Sequence, residues 1–431
     1  MIKNRKSILW KANEVLILLA TIFVFSANDR AWTEENAESK PVSTPDANHG
    51  SWPNWRGPNG DCQAEAQLPA KLPEKLTLRW SAKSQIGISA PIVANGCVFL
   101  HSRTENTEDV TARNAATGKD VWHWNQPAAG APDPEGYFPA ATPAWRDGKL
   151  YLHSIASALL CLDATKGTEV WKRDLVKEFD APGPGYGPAA SPLVLNDCVV
   201  LPVGGSSSGS VIGFDRTTGK TLWQAGKSPP GYASAVAGKV AGVDQLFVHG
   251  LRDFNIFKLK GTQYEFAASY EFDFGEGNQC TPAILDKDTV IITNEDNTTA
   301  LRVTIENEMP KPKELWNVPH PGNMSSPLVF NQRIYLFSQG EIVCLSPKDG
   351  AVLSSIQLSG GYCSLARVGG TLLCLSNTGT MLVVDAAEPE MKKLAEYEMA
   401  EEETWAHLTV VDGLIFVRSR SELRCLAWST P

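Results

Sequence analysis

Apolar residues in this chain fall in short runs, rich in β-branched and aromatic side chains, and most runs end at a turn. Residues 89–93 and 97–102 flank Asn95-Gly96, and Leu328-Val329-Phe330 is soon followed by Ile334-Tyr335-Leu336-Phe337. Runs this short around such turns predict antiparallel strands joined by tight hairpins. Past the N-terminal apolar stretch no long helical period occurs, which excludes arrays of helical repeats.

A longer phrase orders the strands. It reads small residue, Ser or Thr, Pro, apolar strand, turn, second strand, then Leu-Asp-x-x-Thr-Gly-x-x-x-Trp. Plain copies run from Ser89-Ala90-Pro91 to Trp122, from Ala141-Thr142-Pro143 to Trp171, and from Ala190-Ser191-Pro192 to Trp223. Aligned on the proline, the slot is held by Pro91, Pro143, Pro192, Pro282 and Pro327, with Ala235, Leu365 and Leu408 in degenerate copies. Successive copies stand 52, 49, 43, 47, 45, 38 and 43 residues apart. That period suits a four-stranded blade. It predicts an all-β fold, an eight-bladed β-propeller of four-stranded antiparallel blades over residues 75–431. The last copy stops at a third-strand position, Leu423-Arg424-Cys425-Leu426-Ala427-Trp428, while Leu76-Thr77-Leu78-Arg79-Trp80 is a spare strand. Pairing the two closes the ring with an N-terminal strand and removes an exposed sheet edge.

Trp80, Trp122, Trp171, Trp223 and Trp316 all end fourth strands, with Phe266 at the same position in the fourth copy. Their spacing follows the repeat, so they are expected to wedge between neighbouring blades. The cysteines also follow the repeat. Cys161, Cys344 and Cys425 share one slot, Cys97 and Cys198 another, and the total of nine is odd. Repeat-equivalent cysteines are expected to be small buried hydrophobes rather than disulfide partners.

Composition agrees with a turn-rich repeat, with 35 glycines and 28 prolines. Lys3, Arg5, Lys6 and Lys11 precede an apolar run over residues 15–25 and the small residues Ser26 and Ala27, which reads as an export signal over residues 1–27. Without those residues the chain carries 35 basic against 47 acidic side chains, a balance of −12. Such a body repels phosphate backbones, so nucleic acid is excluded as a partner. Residues 28–50 read as a disordered linker. Residues 51–74 open with Ser51-Trp52-Pro53-Asn54-Trp55-Arg56-Gly57-Pro58, a Trp-rich lead-in expected to pack on the propeller. The expectation is a monomer in the periplasm or cell envelope, with no transmembrane span in the mature chain.

The Leu-Asp-Ala-x-x-Gly-x-x-x-Trp phrase resembles the repeat of PQQ-like, quinoprotein-type eight-bladed propellers over most of residues 75–428. The opening at residues 52–58 is similar to the lead-in of exported PQQ-like repeat proteins of planctomycete-type bacteria, many named after BamB of the outer-membrane barrel-assembly machinery. The resemblance implies two alternatives. One is a non-catalytic scaffold whose partner is an envelope protein, a peptide or a glycan. The other is an alcohol or sugar dehydrogenase using PQQ and calcium. Dehydrogenases of that kind pair adjacent cysteines against the quinone and gather acidic and amide ligands around calcium with an Asp base. This sequence has no adjacent cysteines, and its seven histidines show no zinc spacing. Glu295-Asp296-Asn297 reads as a solvated turn, and Gly204-Gly205-Ser206-Ser207-Ser208-Gly209-Ser210 lacks the Gly-Lys-Ser/Thr ending of a phosphate loop. No catalytic, cofactor-binding or metal-binding residue is expected. Binding contacts are expected on the loops at 103–109, 126–138 and 180–186, with Tyr137, Phe138 and Tyr186 as the contact aromatics.

Overall fold

A computed structural model describes residues 50–127, 138–181, 183–184, 187–204, 210–229, 231–271, 280–322 and 324–428. The expected export signal, and all of the expected linker except Gly50, lie outside the described residues. Eight blades of four antiparallel strands follow one another along the described chain, and the seventh gains a fifth strand, Gln63–Ala64, paired parallel with its inner strand. Their inner strands are Ile92–Ala94, Ala144–Arg146, Leu193–Val194, Val236–Val240, Ala283–Ile284, Leu328–Phe330, Cys363–Val368 and Thr409–Val411. In the eighth sheet the outermost strand is Thr77–Lys83, paired antiparallel with Glu422–Ala427. The helix among the described residues is a single turn, Leu175–Phe179, whose N-cap Asp174 accepts from the Lys177 amide. No helix among the described residues is long and apolar enough to cross a membrane.

The hydrophobic core is a series of layers between blades. Phe99, Val110 and Ala112 of blade one meet Leu150, Leu152 and Leu160 of blade two. Tyr151 and Cys161 of blade two then meet Val199, Ile212 and Phe214 of blade three. The pattern continues around the ring, because each sheet is apolar on both faces and needs a neighbour on each side.

At the rim the seams are set by tryptophan. The Trp122 indole N–H donates to the Ala164 carbonyl at 2.9 Å, and Trp80 does the same to Ala115 at 2.9 Å. Trp171 reaches Arg216 at 3.2 Å and Trp316 reaches Pro347 at 3.0 Å. Three residues beyond each accepting carbonyl stands the glycine of the next blade's Thr-Gly, Lys-Gly or Asp-Gly turn, and the indole lies on it. A Cβ on Gly167 would stand 2.5 Å from Trp122, and one on Gly118 would stand 2.6 Å from Trp80. Both glycines also have φ near +70°, which favours glycine. Inside its own sheet each indole crosses a small residue, since Trp122 pairs with Ala112, Trp171 with Cys161, Trp316 with Ala300 and Trp80 with Cys425. This accounts for the repeated cysteine. The third and fourth strands of every blade shift register at this position, and the bulge re-aims the large side chain. Phe266 occupies the slot in blade four but remains 46% exposed, packed edge-on against Phe257 of its own sheet.

Around the axis the seams are set by hydroxyls. The Ser or Thr that precedes the slot accepts a backbone N–H from the preceding blade. Ala90 donates to Thr142 at 3.0 Å, Thr142 to Ser191 at 3.0 Å, Ser191 to Ser234 at 2.8 Å, Ser234 to Thr281 at 3.0 Å, and Thr281 to Ser326 at 3.0 Å. Cys363 N–H to Ser325 and Leu408 N–H to Ser364 join blades six, seven and eight, and the Thr409 hydroxyl donates to the Pro91 carbonyl. Histidines add a second tier. Nδ1–H of His101 donates to Ala141, that of His153 to Ala190 and that of His249 to Cys280, each carbonyl lying one residue before the next blade's hydroxyl.

The rim predicts a sharp contrast between two aromatic truncations. Trp122→Ala should cost roughly 3–5 kcal/mol in denaturant unfolding, the range for removing a packed tryptophan. Phe266→Ala should stay near the roughly 0.5 kcal/mol of surface changes. Gly167→Ala should destabilise as well, through both its positive φ and its approach to Trp122.

The histidines predict an acid dependence. Burial holds His153, His249 and His407 down at about 4, whereas an unfolded histidine titrates near 6.5. Protonation therefore favours the unfolded chain. Their contribution should be complete above pH 6.5 and disappear as pH falls from 6.5 through 4. Thermal unfolding across pH 7.5 to 4 should show a falling midpoint, with a shallower fall in His249→Gln.

Candidate functional site

The loop face is built by the connections from second to third strands and from each fourth strand to the next blade. Tyr137 and Tyr186 lie outside the described residues. Phe138 is buried at 8% exposure, its ring 3.2 Å from where a Cβ on Gly187 would stand. It packs the connection leaving blade one against the connection entering blade three.

Beneath these loops sits a buried carboxylate, Glu108. It accepts from His101 Nε2 at 2.8 Å, Ser154 Oγ at 2.6 Å, Gln126 Nε2 at 2.6 Å and the Ile155 amide at 2.9 Å. Burial alone would raise its pKa. The hydrogen bonds from His101, Ser154 and Gln126 outweigh that and hold it at about 2. Every donor to Glu108 comes from blade one or blade two, so the charge ties that seam and is fully occupied.

The central axis is entered from the opposite end by the lead-in. Trp52 forms a β-bridge with Val93, the Pro53 carbonyl accepts from the Trp145 amide, and Gln63–Ala64 pairs parallel with Arg367 and Val368. Blades one, two and seven are thus bound by one short segment, and Gly50 N–H adds Asp412 of blade eight. Deeper in, the Trp52 and Trp55 rings lie 6.5 and 6.2 Å from the ring of His407. Arg56 is 4% exposed, donating through Nη2 to Pro327 of blade six at 2.6 Å and through Nε to Gly60 at 3.2 Å. The Trp-Arg-Gly sequence is shaped for this insertion, because Gly57 has φ +82° and a Cβ there would press on the Trp52 ring.

In blade eight the position that carries His101, His153 and His249 is taken by Arg418, as the pairings Ile92–Phe99, Val236–Phe247 and Thr409–Phe416 establish. Arg418 is buried and reaches the equivalent carbonyl, Ser89, through Nη1 at 2.8 Å. The same nitrogen donates to His101 O at 2.8 Å, and Nη2 donates to Gln85 O at 2.9 Å. Burial lowers its pKa to about 9, so it is a cation at neutral pH. Repeat alignment of the histidines could have found it.

Among the described residues no group of three or more His, Cys, Asp and Glu side chains is placed to hold a metal ion. All nine cysteines are free thiols, and burial raises Cys280 to about 12. The Asn294 side chain caps the exposed 294–297 turn by accepting the Asp296 and Asn297 amides. Calcium asks for about six or more oxygen ligands. The described His, Cys, Asp and Glu side chains bring no such set together.

Known proteins share this architecture. BamB from Moraxella catarrhalis superposes with a TM-score of 0.56 at 13% identity, covering 82% of this chain and 97% of that one. A europium-containing methanol dehydrogenase gives 0.63 at 12% identity, covering 88% and 98%. At these identities the likeness is one of fold. In sequence, the dehydrogenase subunit of a quinone alcohol dehydrogenase from Komagataeibacter europaeus is 28% identical over 141 residues, or 31% of this chain and only 19% of that protein. The family profile described as outer membrane protein assembly factor BamB matches residues 106–356. With more than half its length under that profile, and with eight blades stitched by the hydroxyls and tryptophans of its repeat, the chain belongs to the BamB family of PQQ-like propellers.

Proposed function

We propose that this protein is an exported, non-catalytic docking scaffold of the cell envelope, a monomer whose loop face holds a protein or peptide partner. The observation that carries this reading is how the axial polar groups are used. His101, His153 and His249 donate to carbonyls of the next blade, the slot hydroxyls accept its neighbours' amides, and Glu108 is saturated by four donors. Groups held this way are structural, since a general acid or base needs a free position toward a substrate. The family match supports a protein partner. The N-terminal basic and apolar pattern supports export. The short sequence match to a quinone alcohol dehydrogenase favours the alternative, dye-linked oxidation with PQQ, but the described side chains offer that chemistry no ligand set.

Two measurements test the proposal. Incubation of the purified chain with PQQ and calcium should yield no quinone absorbance and no dye-linked alcohol oxidation. Turnover in that assay would replace the scaffold reading with a quinoprotein enzyme. For the docking face, residues 128–137 can be exchanged for a Gly/Ser linker while Gln126 and Phe138 are kept, because Gln126 serves Glu108 and Phe138 is buried. The variant should retain its melting temperature and lose partners cross-linked from an envelope fraction. An unaltered partner set would place docking elsewhere.

A further inference from the structure

At the end of the ring entered by the lead-in, residues 67–69 and the first hairpin of blade eight line an open groove of about 390 Å³. Leu68, Pro69, Leu414 and Trp428 give it an apolar lining, and Arg79 and Asp412 stand among its polar groups. Asp412 is engaged, accepting the Gly50 amide at 2.6 Å. Arg79 is exposed and makes no hydrogen bond or ion pair with another described residue. The chain on either side extends its charge. Lys71, Lys75, Arg79 and Lys83 are all exposed and unpaired among the described residues, against the single acid Glu74. Four basic side chains against one acid give residues 67–83 a balance of +3, on a body whose balance is −12. Among the described outer strands, Thr77–Lys83 alone has charged side chains that are all basic. A local reversal of sign on an acidic protein selects an acidic partner and steers its approach. An exposed ion pair by itself contributes little, so the apolar lining must contribute as well.

We propose that this groove docks an acidic peptide segment of a partner protein, with one bulky apolar side chain against Leu68, Leu414 and Trp428 and a neighbouring carboxylate on Arg79. The guanidinium offers that carboxylate a planar fork. Lys71 and Lys75 meet further acids along the segment. The volume falls within the roughly 300–1,000 Å³ of ordinary binding sites, enough for one such side chain and the backbone beside it. This surface lies at the end opposite the loop face and goes beyond the scaffold reading, so the exchange of residues 128–137 leaves it intact.

The test titrates the intact purified chain at pH 7 and low ionic strength with three acetylated and amidated pentapeptides. They are Glu-Glu-Leu-Glu-Glu and its controls Gln-Gln-Leu-Gln-Gln and Glu-Glu-Gly-Glu-Glu. The first should bind ten-fold or more tightly than either control, and added salt should weaken it. Arg79→Glu should weaken binding ten-fold or more without lowering the melting temperature, because the side chain is exposed. Arg79→Gln, which removes the charge without reversing it, should also weaken binding and serves if the first variant does not fold. Lys287→Glu changes net charge as Arg79→Glu does, at an exposed lysine of blade five, and should leave binding intact. No binding of Glu-Glu-Leu-Glu-Glu, binding no tighter than that of either control, unchanged affinity in either folded Arg79 variant, or an equal loss in Lys287→Glu would overturn the proposal.

Discussion

The hydrogen bond from a backbone amide of one blade to a Ser or Thr hydroxyl of its neighbour is the contact on which the rest of this propeller depends. Sheets in a ring share no main-chain ladder, so nothing in their own hydrogen bonding fixes the angle between them. Side-chain hydroxyls at the inner strands supply that missing link, and here they do so at seam after seam, with the Thr409–Pro91 bond joining last blade to first. Because these groups are buried, each unmade bond would leave an amide and a hydroxyl without water. The ring therefore has one acceptable spacing, and the apolar layers fill it.

The same geometry sets the division of labour between axis and rim. Near the axis the blades converge, and hydroxyls, with imidazoles in a second tier, bridge them. At the rim they diverge, and the gap is wide enough for an indole whose single donor finds a turn carbonyl. Where the indole is missing in blade six, Ser354 donates to Pro389 and Tyr335 to Ala386, so polar bonds to the following turn survive without the ring. Where it is replaced in blade four, Phe266 has no donor to offer and stays half in solvent.

Much of this was legible in the chain because Pro, Gly and Trp mark positions that tolerate few alternatives. The proline slot located the inner strands to within a residue in most blades, and the Thr-Gly turn located the indoles. The Ser or Thr beside the proline was visible as a letter of the phrase but not as a link, because its partner is a backbone amide some fifty residues earlier. Arg418 was less visible still. It belongs to the row of His101, His153 and His249, but it stands in a degenerate copy and is a different residue type, so only alignment of the repeat places it there. Of the three loop aromatics Tyr137, Phe138 and Tyr186, only Phe138 lies among the described residues, inside the packing.

The lead-in binds the first described residues of the chain to its last blades. Trp52 stacks on His407, Arg56 reaches Pro327, and Gly50 donates to Asp412. A chain made from its N-terminus therefore presents Trp52, Trp55 and Arg56 long before their partners exist. Contacts separated by 271 to 362 residues must wait for most of the ring, and such long-range closure slows folding. Until then the tryptophans are exposed and strand Thr77–Lys83 lacks its partner Glu422–Ala427, so the half-made ring offers an unpaired strand and a hydrophobic lead to any neighbouring chain in the same state.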